Sequence, residues 1–109
     1  MNTPPLGYHY PVERITAIDG GTVDVQVHGY SRNKVLQECF PPPVGHPLAR
    51  ESREYLQRLL SEGFQSVTLF EPYKQDGVRL FIGERDINEE MAGSGLVGRT
   101  STLAKEMFQ

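Results

Sequence analysis

The sequence predicts an α+β fold that is mainly β. Five short strands form a small closed or partly open antiparallel barrel, with one helix between the third and fourth strands and a short C-terminal helix. Three observations carry that expectation. A strictly alternating run, TVDVQVH at 22–28, directly follows the turn signal Asp19-Gly20-Gly21. A single strongly amphipathic stretch spans 47–63. The other apolar runs are short and bounded by turn-forming residues. Closure would also remove the exposed edges that make a small sheet prone to aggregate.

Residues 1–11, rich in Pro and aromatics, read as an extended arm packed across the sheet or exposed as an aromatic ligand. Residues 12–97 form the domain, and 98–109 a tail. The first strand is VERITAI at 12–18. The second places Val23, Val25 and Val27 on one face and Asp24, Gln26 and His28 on the solvated one. A third strand, KVLQECF at 34–40, is stopped by Pro41-Pro42-Pro43, because proline cannot donate to a ladder. The helix follows, with Leu48, Ser52, Tyr55, Leu56, Leu59 and Leu60 on its inner face, charges outside, and Gly63 as C-cap. SVTLFE at 66–71 and VRLFI at 78–82 are the fourth and fifth strands. Asp86 reads as the N-cap of a short helix with Glu89 three residues on. In the tail, Leu103 and Met107 share one face and, with Phe108, dock on a partner or on the barrel itself.

A chain of 109 residues is one domain, able to bury roughly two-thirds of its unfolded surface. The single cysteine leaves no internal disulfide, and a reducing, cytoplasmic setting is expected. The N-terminus does not read as a secretory signal, and no apolar run approaches the length that spans a bilayer, so no membrane partner is expected. A net charge of −3 supplies no general excess for phosphate binding, although a local basic groove is compatible with it.

Three segments together, AIDGGTVDV at 17–25, KVLQECFPPPVGHPLARESREYL at 34–56 and DGVRLFI…DINEEMAGSGL at 76–96, resemble the staphylococcal nuclease (thermonuclease) family. The resemblance covers about residues 12–97 in the right order and implies an OB-type five-stranded barrel. It also implies a place for phosphodiester hydrolysis with calcium, which needs oxygen ligands, a base and cationic donors. The family's two metal aspartates fall at Gly21 and Cys39, and its phosphate-clamping arginines at Lys34 and Val78. The catalytic glutamate falls at Pro42, or at Pro43 with a one-residue slip. Only Lys34 keeps a charge, and it lacks the guanidinium fork. Arg79, next to Val78, is expected on the opposite strand face, as is Glu38 relative to Cys39.

The resemblance therefore implies an inactive nuclease with no metal and no cofactor. Nothing else in the sequence rebuilds a site: Glu71, Asp76 and Glu84 have no second ligand at recognisable spacing, and His9, His28 and His46 form no ligand motif. His46 reads as a hydrogen-bond partner at the start of the helix, and Cys39 as a buried small apolar residue. Two functional readings stand. One is a binding or regulatory module for another protein, including an inhibitor of a nucleic-acid-handling protein, or for a second copy of itself. The other is single-stranded nucleic-acid binding without cleavage by Tyr30, Arg32, Lys34, Tyr73, Lys74 and Arg79, of micromolar or weaker affinity. A residual or altered metal-dependent nuclease is a third class.

Overall fold

The computed structural model describes residues 6–62 and 66–109. The proposed C-cap Gly63 and residues 1–5 of the arm lie outside them. Within them the fold is mixed α+β, mostly strand with three helices. In order, β1 (Gly7–Pro11), β2 (Arg14–Asp19), β3 (Thr22–Val27), β4 (Tyr30–Val35), α1 (Ala49–Ser61), β5 (Val67–Pro72), β6 (Arg79–Ile82), β7 (Arg85–Asp86), α2 (Ile87–Ala92) and α3 (Ser101–Met107) follow one another. The strands make two antiparallel sheets, β1-β5-β6-β7 and β2-β3-β4.

The described residues form seven strand segments, where five strands were expected, in two sheets and with no closed barrel. The arm is itself a strand, β1, paired along β5 from Gly7–Pro72 to Pro11–Thr68. Where β1 passes into β2 the chain changes sheet: the Val12 N–H donates to Val67 O and the Glu13 N–H to Gln26 O. The third strand runs over Tyr30–Val35 and not over 34–40. His28 and Gly29 both take positive φ, 51° and 82°, so the hairpin turns in two residues and sets Tyr30 opposite Val27. Its far end is set by Glu38, whose φ of 61° breaks the extended chain before the prolines are reached. His28 is thus a turn residue and not a strand residue.

The core lies between the sheets and the helices. Val23 and Val25 of β3 share one buried cluster with Leu69 of β5, Leu80 and Ile82 of β6, Leu56 and Leu59 of α1, and Ile87 and Met91 of α2. The inner face of α1 is as its periodicity requires, with Ser52, Leu56, Leu59 and Leu60 buried. Gln57 also accepts the Ala17 N–H at 2.9 Å, a donor that strand alternation directs away from β3. The start of α1 is fixed by His46, whose Nδ1 accepts the Leu48 N–H at 3.0 Å. Asp86 caps α2 through the Glu89 N–H. Thr100 caps α3 in the same way through Leu103. That helix docks by Ala104 and Phe108, while Leu103 and Met107, the face expected to dock, remain in solvent. The Phe108 ring meets His46 edge-on at 5.2 Å.

Candidate functional site

The inner face of the β2-β3-β4 sheet changes character along its length. Cross-strand partners share a face, so Tyr30, Arg32 and Lys34 of β4 stand beside Val27, Val25 and Val23 of β3. The valines close the core, whereas the β4 side chains are too long and polar to do so and rim a groove of about 310 Å³. Its opposite wall comes from the other sheet. Tyr10 is paired with Leu69 and Tyr8 with Glu71, which puts these four on one face. Tyr10, Leu69 and Glu71 line the groove, with His28 at its end edge-on to Tyr10 at 6.2 Å.

Charge in the groove is unequal. Lys34 Nζ is 2.7 Å from Glu71 Oε1, an ion pair that spans the two sheets. Arg32 is exposed and has no carboxylate partner among the described residues. Two cations therefore face one carboxylate, giving a locally positive surface on a chain whose net charge is −3.

The six residues expected to act together are divided. Tyr30, Arg32 and Lys34 share the groove. Tyr73 and Lys74 sit at the β5–β6 turn, with Lys74 Nζ 5.3 Å from the centre of the Tyr73 ring. Arg79 belongs to the opposite face, paired in register with Phe70. There it donates to Glu38 at 2.7 Å and to Asp86 at 2.9 Å. Arg99 joins this cluster through Glu89 and Glu38. The desolvation of Arg79 is more than offset by these two carboxylates, which hold its pKa above the ordinary arginine value. Tyr10, His28 and Glu71 were missed as site residues, since only the packing of the two sheets brings Tyr10 and Glu71 opposite the β4 cations.

The nuclease-like positions come together in part. Gly21 is buried directly against Cys39, so closely that a methyl group on Gly21 would overlap the Cys39 carbonyl oxygen. The Cys39 thiol donates to Asn88 O at 3.5 Å, and burial pushes its pKa up to about 12. Pro42 and Val78 are buried. Among the described residues no group of three or more His, Cys, Asp or Glu is placed to hold a metal ion. A second groove, of about 400 Å³, separates Pro41 and Pro43 from Lys105 of α3 and from Phe108 just after it. No helix among the described residues is long and apolar enough to cross a membrane.

Comparison of the sequence with protein-family models and with curated proteins finds no match.

Proposed function

We propose that this chain is a catalytically inactive, staphylococcal nuclease-like domain, cytoplasmic, that works as a binding or regulatory module through contact with another protein. The observation that carries this reading is the packing of Gly21 on Cys39. The resemblance requires these two positions to be neighbours in space, and they are. Yet the room that an aspartate side chain and an ion would need at Gly21 is taken by main chain. At Cys39 the neutral thiol is a poor partner for a hard cation. Pro42 offers no base, and Val78 no cation, at the positions where the family has them.

An OB-type barrel of five strands fits the same reading, with β1 and β2 as two halves of one bent strand. Its support is the round of contacts from β4 through β3, β2, β1, β5 and β6 back to the chain after β4, where Leu36 bridges Val78 in parallel. Single-stranded nucleic acid is the second reading, favoured by Tyr10, Tyr30 and Arg32 in one groove. The Glu71 carboxylate in that groove opposes phosphate, so the protein-binding reading is preferred.

Purified protein incubated with labelled single-stranded DNA and RNA plus calcium, magnesium or manganese is expected to leave both intact. Cleavage that Lys34→Ala or Arg79→Ala removes would overturn the inactive reading. A salt titration with a mixed oligonucleotide separates the two binding readings: a steep loss of affinity with salt would favour nucleic acid.

A further inference from the structure

β4 is paired on one side only for most of its length. The Leu36 N–H donates to Gly21 O on the β3 side, whereas Val35 O accepts from Val78 and the Gln37 N–H donates to Val78 O on the other. Main-chain groups alternate in direction along a strand. Those of Tyr30, Arg32 and Lys34 therefore point to β3, and those of Ser31 and Asn33 point outward. Among the described residues, neither Ser31 nor Asn33 has a hydrogen-bond partner for them. The lane beside them continues the line of Val78. The chain before Val78 turns at Gly77, whose φ is 84° and where an added methyl group would meet Gln37 and Val35, and Asp76 O accepts from the Gln37 side chain, beyond Val35 rather than beside Asn33.

We propose that an extended, carboxylate-bearing segment of a partner protein occupies this lane as an additional strand next to β4. Its main chain bonds Ser31 and Asn33, and its groove-side residues lie beside Tyr30, Arg32 and Lys34. A carboxylate there meets Arg32, the groove cation without a carboxylate partner among the described residues, while an apolar neighbour two residues away lies over the groove beside Tyr30. Pairing of β4 with a second copy about Arg32 would instead set two guanidinium groups opposite each other, which like charge opposes. A polyphosphate chain meets Glu71, whereas a peptide with one or two acids does not need to approach it. The proposal rests on the protein-binding reading above and names the surface and the chemistry of the partner.

The test is selection from a randomised linear peptide library against the intact protein. Asn33→Pro removes one outward N–H and leaves the bonds to β3 untouched, and proline is tolerated on edge strands. Arg32→Glu is an exposed substitution that reverses the reading charge. The expected result is a set of peptides rich in Asp or Glu at alternate positions, whose affinity falls at least about tenfold with Asn33→Pro, the scale of one or two lost hydrogen bonds. Repeating the selection against Arg32→Glu is expected to return Lys or Arg at the same positions. Circular dichroism confirms that both variants fold; Ser31→Pro replaces Asn33→Pro if that one does not. No enrichment, or peptides indifferent to both substitutions, would overturn the proposal. So would an oligonucleotide that binds at physiological salt and is lost with Arg32→Glu but kept with Asn33→Pro. A partner from cell lysate retained equally by Asn33→Pro would sink the strand-addition proposal while leaving the protein-binding reading intact.

Discussion

The side-chain carbonyl of Asn88 accepts the main-chain N–H of Leu80 at 2.9 Å, at a position with no exposure to water. Its amide donates to Gln37 O and Val78 O, each at 2.9 Å. One residue of α2 thus fastens the chain beyond β4 to the start of β6, where the two sheets meet. The Asn88 main-chain oxygen also receives the Cys39 thiol.

Asn88→Ala orphans the buried Leu80 N–H and removes a donor from Gln37. At about 1–3 kcal/mol for each unsatisfied buried group, a loss of about 3 kcal/mol or more is expected. Asn88→Asp fares no better, because it aims a carboxylate at two carbonyl oxygens. Urea unfolding checks both, and an unchanged midpoint in Asn88→Ala would show that the Asn88 bonds contribute little net stability.

Gly21→Asp is expected to destabilise without restoring a metal site. The new Cβ must displace the Cys39 carbonyl, an overpacking cost of about 1–3 kcal/mol. Gly21→Ala, which adds no charge, should cost a similar amount. Calorimetry with and without calcium separates the outcomes. A calcium-dependent rise in melting temperature for Gly21→Asp would mean that the main chain can yield and the site can be rebuilt.

The Asp19-Gly20-Gly21 turn, the Val23-Val25-Val27 face, α1 and the Asp86 cap were legible because each is a local pattern with its own physical cause. The boundaries of the third strand were not. The residues 34–40 are rich in apolar side chains, but the left-handed conformation at Glu38 ends the ladder early. Glu38, at the break, is exposed next to the buried Cys39, with its carboxylate 2.7 Å from Arg79 and close enough to the thiol to oppose its ionisation. The groove was half legible. Tyr30, Arg32 and Lys34 follow from alternation on one strand, whereas Tyr10 and Glu71 enter through pairing between segments about 60 residues apart, which no local pattern encodes.

Ser52 sits fully buried on the inner face of α1, and its hydroxyl has no hydrogen-bond partner among the described residues. A methyl group on Gly20 would overlap that hydroxyl, so helix and turn are in direct contact. Ser52→Ala removes a desolvated polar atom at almost no change in volume. It should raise stability by about 1 kcal/mol. A lower urea midpoint for this variant would mean that the hydroxyl has a partner, such as a bound water, in solution.

The Cys39 thiol gives the fold a defined alkaline weakness. Its pKa is raised from 9.0 to about 12, chiefly by burial, with Glu38 and Asp86 adding to the rise and Arg79 and Arg99 opposing it. In the unfolded chain the thiol ionises first, so between these two values the unfolded state binds fewer protons than the native state. The stability linked to this group is therefore complete below pH 9 and is lost as pH rises toward 12, at up to about 1.4 kcal/mol per pH unit. Cys39→Ala lacks this dependence while keeping every lysine and tyrosine that titrates in the same range. Denaturant unfolding of both proteins from pH 8 upward should show the stability difference narrowing, or reversing in favour of Cys39→Ala. A constant difference across that range would mean that the thiol ionises equally in both states and is not shielded from water as its burial implies.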